Sequence, residues 1–372
     1  MNRRIATLVV FLVAGVLGCS TVSERTAATS TVGPLVIAKQ GYFFVGGKYV
    51  ERPNGRIMAG QMYVQFQIPQ QLKHPYPVVM IHGGGQTGTN FLGTPDGRPG
   101  WADFFLSEGY AVYVVDQPGR GRSVYHAEIY GPINQRATVQ GAEQRFTSFE
   151  RFKEWPQASL HTQWPGSGLA GDPAFDQFYA SQQPSLDDRK VGHKLNQDAG
   201  AALLDKIGPA ILLAHSQAGA FAWLIADIRP QLVKGILAVE PNGPPFRSDM
   251  RWGPADAPIT YDPPATDFAQ LKTVQEAKPS GPNLEGCSLQ AEPARQLPNL
   301  KSIPILIVSS EASYHAPYDH CISKFLTQAG VPNTFMKLAD NGIRGNGHMM
   351  MLEKNNLEIA VLMTRWLNES VK

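Results

Sequence analysis

Short unbroken apolar runs alternate along this chain with longer stretches in which apolar residues recur at helical spacing. Apolar runs over 77–81, 110–115, 210–214 and 303–308 predict strands, as do 233–239, apolar but for Lys234, and the last segment, 333–338. Runs without a polar partner fit strands covered on both faces, as in a parallel sheet. Helical spacing over 100–109, 193–206, 221–228, 323–329 and 352–367 predicts the covering helices. Upstream, 36–49 and 61–68 alternate around the turn signal Arg52-Pro-Asn-Gly55 and predict an opening antiparallel hairpin. The whole predicts an α/β fold, with a mainly parallel central sheet and helices on both faces. Two stretches break the rhythm, 124–195 and 246–300, both rich in Pro and Gly. Irregular segments between core strands commonly serve as lids. The first, carrying Trp155 and Trp164, is expected to be a cap that walls a pocket with aromatics.

In such a sheet, functional loops lie at the carboxyl ends of the strands. At the end of run 210–214 stands His215-Ser216-Gln217, with Ala214 and Ala218 two residues either side of the serine and Gly219 next. Strand, sharp turn and helix with a serine at the apex is a nucleophile elbow. The plainer alternative is a serine capping an ordinary helix. His82-Gly-Gly-Gly85 follows run 77–81, and free glycine amides there suit an oxyanion hole. A phosphate loop would want Lys-Ser/Thr directly after the last glycine, and no lysine stands there. Acyl transfer needs a nucleophile, a base, an acid that orients the base, and oxyanion donors. Ser216 is the candidate nucleophile, and the backbone amides of Gln217 and of Gly84 or Gly85 are the candidate donors. His348 lies in a glycine-rich loop before the last helix, where the base is expected; His315 and His320 compete. His215 is expected to turn away from Ser216, and His82 to buttress the glycine loop. Residue chemistry leaves the acid open between Glu240, which ends run 233–239, and Glu311 or Asp319 after the following strand. Arg120 and Arg122 are expected to make ion pairs or hold carbonyls.

The chain has 372 residues and a formal net charge of +2, with no basic tract, so nucleic-acid binding has no electrostatic support. Met1-Asn-Arg-Arg4 followed by apolar residues 5–17 reads as an export signal, too short to span a bilayer comfortably. Its end, Val16-Leu-Gly-Cys19-Ser, looks like a bacterial lipobox, implying cleavage before Cys19 and a lipid on its thiol; the alternative is an ordinary signal cut within 20–28. Residues 20–33 read as a flexible tether to a folded domain over 34–372. With Cys19 lipidated, Cys287 and Cys321 are left to pair, and export makes a disulfide plausible. No metal-ligand spacing or cofactor loop is found, so neither is expected.

Taken together, His82-Gly-Gly-Gly85-Gln-Thr-Gly, Val115-Asp-Gln-Pro-Gly-Arg-Gly-Arg-Ser123, Ala214-His-Ser-Gln-Ala-Gly219, Val239-Glu-Pro241 and Gly347-His348 resemble the α/β-hydrolase fold. More narrowly, the chain is similar to secreted bacterial esterases with a Ser-His-Glu triad whose Glu follows the sixth strand. That resemblance implies Ser216, His348 and Glu240 as the triad and supports a Cys287–Cys321 bridge. Here alanines stand where the common elbow has glycines. The expected activity is an exported, lipid-anchored serine carboxylesterase working through an acyl-enzyme on a small ester with a hydrophobic or aromatic group. The alternatives are an amide or carbon–carbon hydrolase using the same residues, and a non-catalytic binding lipoprotein on a hydrolase fold.

Overall fold

The computed structural model describes residues 32–135 and 137–372. The signal sequence, Cys19 and nearly all of the expected tether lie outside the described residues. Eight strands form one sheet: β1 (Ile37–Arg52), β2 (Gly55–Pro69), β3 (Val78–Ile81), β4 (Val112–Asp116), β5 (Ala210–His215), β6 (Val233–Val239), β9 (Ile305–Ser309) and β10 (Thr334–Lys337). A separate small hairpin, β7 (Thr273–Gln275) with β8 (Ser288–Gln290), lies in the second excursion. The sheet order is β1-β2-β4-β3-β5-β6-β9-β10. β1 and β2 form the opening antiparallel hairpin, β2 meets β4 antiparallel, and every pairing from β4 onward is parallel.

Why the apolar runs are unbroken is visible in the packing. Successive side chains of a strand point to opposite faces, and both faces are covered. Val79, Ile81, Leu212 and Ala214 enter the core shared with the helices Arg189–Ile207 and Ala218–Ile228. Val78, Met80, Ile211 and Leu213 enter the opposite core, closed by Trp101–Ser107 and Asn356–Ser370. Ala218–Ile228 is apolar on nearly every side because it is buried on nearly every side. Its neighbour lies close: a Cβ on Gly200 would sit 2.2 Å from Ile225 Cδ1. Among the described residues, no helix is long and apolar enough to cross a membrane.

The first excursion differs from its expected irregularity. It holds the short helices Ala127–Tyr130, Val139–Ala142 and Pro173–Ala180 and a π-helical turn at Glu143–Thr147. One or two turns carry too few positions to print a period on the sequence. The expected boundary also shifts, since the helix returning to the sheet starts at Arg189, capped by Asp188, whose carboxylate accepts from the Val191 amide.

Cys287 and Cys321 are disulfide-bonded, tying the start of β8 to the helix Asp319–Gln328 across a sequence separation of 34. By chain entropy, a loop of that length is stabilised by about 3–4 kcal/mol. The double substitution Cys287→Ser, Cys321→Ser should lower the unfolding free energy by about that much in urea titration. Unchanged midpoints would count against a structural role.

Candidate active site

β5 ends at His215, and Ser216 adopts φ 54°, in the left-handed region that side-chain-bearing residues avoid. The turn is stitched to the end of β6. The Ser216 amide donates to the Val239 carbonyl at 2.9 Å, and the Ser216 carbonyl accepts from the Asn242 amide at 2.8 Å. The tightest small-residue position is Gly219, where a Cβ would lie 2.4 Å from Pro241 Cβ. That contact explains why alanines suffice at 214 and 218: the crossing of helix and strand is closest one residue further on.

Glu240 ends β6 in a second non-glycine left-handed conformation, at φ 40°. Its carboxylate is fully buried and surrounded by donors. Oε1 accepts from the Ser310 amide at 2.9 Å and from the Ser310 hydroxyl. Oε2 accepts from the Ser313 hydroxyl at 2.6 Å and from His348 Nδ1 at 2.6 Å. The other two carboxylates weighed from the sequence are engaged elsewhere. Glu311 binds Arg344 at 3.0 Å and the Gly345 amide at 2.7 Å. Asp319 pairs with His315 Nδ1 at 2.8 Å. Burial alone would push the Glu240 carboxyl up, but the hydrogen bond from His348 and the surrounding donors hold it down to about 2. Asp319, buried and close to the Glu240 charge, is pushed well above the usual carboxylate range.

With Nδ1–H given to Glu240, His348 carries its lone pair on Nε2. Its ring lies 4.5 Å from His315 in a near-parallel stack, 4.5 Å from His215 and 4.8 Å from Tyr314. Burial, then the His315 imidazole, lower its pKa to about 4 against the pull of Glu240. His215 Nε2 donates to the His348 carbonyl at 3.0 Å, so this histidine supports the loop that carries His348. His320 sits beside the disulfide, 3.7 Å from Cys321 Sγ, apart from this cluster.

A second tie on that loop had no signal in the sequence. Glu353 accepts from the Gly347 amide at 2.9 Å and from Asn346 Nδ2 at 2.8 Å. His161, from the first excursion, reaches Glu353 at 2.8 Å with one ring nitrogen and Glu150 at 2.9 Å with the other. Burial disfavours its charge, but the two carboxylates win and raise its pKa to about 9. His161 and Glu353 stand 192 residues apart, so no spacing could have exposed the pair.

The glycine loop faces Ser216 from β3. His82 braces it as expected: its Nδ1–H points to the Gly83 carbonyl at 2.9 Å, and its Nε2 accepts from the Gln117 amide at 3.1 Å. Buried Arg120 donates to the Gly83 carbonyl at 2.8 Å and to Gln217 Oε1 at 3.3 Å, clamping the two halves of the loop pair together. Arg122 grips Asp116 at 2.7 Å. The Gly85 amide is already spent on the Ser185 hydroxyl at 3.2 Å, whereas the amides of Gly84 and Gln217 meet no acceptor among the described residues.

Ser216, His348, Gly84, Gly85 and Gln217 open onto one cavity of about 560 Å3. Its aromatic lining is limited to Phe146 and Tyr314. Trp164 packs instead on Phe178, and Trp155 on Phe149, so the expected aromatic wall is not built. Among the described residues, two groups have ligand atoms close enough to chelate an ion: Cys287, His320 and Cys321, and Glu240, His315 and His348. In the first, the sulfurs are bonded to each other. In the second, the carboxylate already accepts four hydrogen bonds.

Residues 78–360 match the family described as the alpha/beta hydrolase family. A protein of Fungal sp. (strain ATCC 74256) named probable secreted lipase phiG is 47% identical over 336 residues, spanning 88% of this chain and 89% of that one. A solved structure titled as that of a novel bacterial esterase superposes with a TM-score of 0.60 at 26% identity, covering 92% of this chain and 99% of the other.

Proposed function

The chain belongs to the α/β-hydrolase family, and from that premise we propose that it is an exported ester hydrolase working by serine catalysis. One observation carries the reading: the 2.6 Å hydrogen bond between Glu240 and His348, beside a cavity that Ser216 also lines. In the proposed cycle, His348 Nε2 takes the Ser216 proton as Oγ attacks the ester carbonyl. The amides of Gln217 and Gly84 receive the resulting oxyanion, each donor contributing about 3–4 kcal/mol of transition-state stabilisation. Collapse expels the alcohol with the proton from Nε2. Water, deprotonated by the same nitrogen, then cleaves the acyl-enzyme and releases the acid. Glu240 fixes the tautomer and stabilises the imidazolium.

Export rests on the N-terminal signal and on the similarity to a protein named as a secreted lipase. Lipid attachment at Cys19 is the finer form of that reading and rests on the lipobox-like pattern alone. A fluorophosphonate probe should label Ser216 stoichiometrically and block p-nitrophenyl butyrate hydrolysis. Turnover that survives without label on Ser216 would overturn the serine assignment.

The base must be neutral to act, so kcat/KM should fall as His348 is protonated. Its folded-state pKa is depressed, to about 4, so the acid limb of the profile should lie well below 6.5, near pH 4, with a plateau to neutrality. Stability follows with the same sign. Below pH 6.5 the unfolded chain gains the histidine proton first, and stability drops until the folded site also protonates near 4. Glu240, also depressed, stabilises above its unfolded value of 4.5 and loses that contribution as pH falls towards about 2. An acid limb centred at 6.5 or above would contradict the buried, neutral base.

A further inference from the structure

Resting on the esterase reading above, we propose that the substrate is a small ester whose alcohol portion carries a carboxylate, and that Arg145 receives that carboxylate. Arg145 lies in the π-helical turn Glu143–Thr147, which continues the short helix Val139–Ala142. π-helical turns are rare and are frequent at functional sites. This one brings Arg145 and the next residue, Phe146, to the cavity wall. The guanidinium lies over the Tyr314 ring, 4.0 Å from its centroid, and Tyr314 in turn lies 4.8 Å from the His348 ring. Phe146 is 5.9 Å from the same imidazole. Stacking on Tyr314, with a hydrogen bond to the same side chain, uses part of the guanidinium and leaves further N–H groups to receive a carboxylate.

The other arginines around the site are matched. Arg189, on the same wall, is bound to Asp249 at 2.7 Å, and Arg120 is committed to the glycine loop. Arg145 makes no ion pair among the described residues, and Asp187, the acidic residue of the wall, does not reach it. The rest of the wall is rich in carboxamides, including Asn134, Gln135, Gln182, Gln183 and Asn242. Gln86 also lines it, with its buried Oε1 unpartnered. Several of these carboxamides have one end bound within the protein, as Asn134 does to the Ser185 amide and Gln183 to the Gly121 amide; a long alkyl chain would strand their remaining polar atoms, whereas an oxygen-rich ligand would satisfy them. The side is set by the chemistry: His348 returns its proton to the departing oxygen, so groups stacked beside the imidazole flank the alcohol portion.

The test compares meta-acetoxybenzoate with its neutral isostere meta-acetoxybenzamide. The wild-type protein should show a KM about tenfold lower for the acid, a gap that narrows at high salt. Arg145→Gln should erase the gap while leaving the benzamide kinetics within about twofold, and Arg145→Lys should restore part of it. Equal KM values in the wild type, or an equal loss on both esters in Arg145→Gln, would overturn the proposal. So would a preference confined to p-nitrophenyl hydrogen glutarate over p-nitrophenyl butyrate, which would put the charge on the acyl side. Calorimetric titration with meta-hydroxybenzoate separates this site from the chemistry. If neither acetoxy ester is hydrolysed, the esterase reading fails, yet binding weakened about tenfold in Arg145→Gln would still uphold the anion site. Binding indifferent to Arg145 would overturn it.

Discussion

Ser216→Ala should lower kcat on p-nitrophenyl esters by roughly 10^5-fold or more, the scale seen when a triad nucleophile is removed, equivalent to about 7 kcal/mol of barrier. Folding should not suffer. Ser216 is only partly buried, and its contacts to the end of β6 run through its own amide and carbonyl, which alanine keeps. The left-handed φ of 54° is retained by the stitching to Val239 and Asn242, at a strain of about 1–2 kcal/mol that serine and alanine share. The measurement is steady-state turnover beside a thermal melt. Activity within tenfold of wild type, with an unchanged melt, would remove Ser216 from the reaction.

Glu240→Gln should be nearly as severe. The carboxylate accepts from four donors at once. An amide offers one oxygen and turns a nitrogen towards groups that are themselves donors. It can then hold His348 only in the wrong tautomer, which in a comparable triad lowers kcat about 10^4-fold. Some stability should go too, since at least one buried donor is stranded, at about 1–3 kcal/mol. Glu311→Gln is the control. It removes the charge from a half-exposed pair with Arg344 and leaves an amide oxygen to accept from Gly345, and kcat should stay within about threefold of wild type. A larger loss in Glu311→Gln than in Glu240→Gln would reverse the assignment of the acid. The pH profile gives a further check: without the Glu240 charge, the acid limb should move lower still.

The sheet was legible because burial on both faces leaves a strand little room for polar residues, so β3, β5 and β9 appear as apolar runs and β6 departs only at the half-buried Lys234. The nucleophile, base and acid candidates were legible as types at strand ends, where an α/β sheet puts its loops. What chain order could not do was choose among Glu240, Glu311 and Asp319. That choice depends on Ser310 and Ser313 turning back onto one carboxylate, a matter of loop shape. The first excursion departs from expectation for a similar reason. Of its aromatics Phe146 reaches the cavity, but Trp155 and Trp164 pack on Phe149 and Phe178, and carboxamides make up much of the wall. Composition reports which residues a segment owns, and not which way they turn. Nor could it reveal that Gly85, an attractive oxyanion donor by motif, has its amide taken by Ser185.

The His161–Glu353 pair gives the first excursion a part in positioning His348, since the same carboxylate holds Gly347 beside it. A chimera that grafts this excursion from a relative, to change which molecules enter, would remove one support of the His348 loop unless the histidine and its glutamate travel as a couple. During synthesis, too, Glu353 lacks its imidazole partner until a segment made nearly two hundred residues earlier has docked.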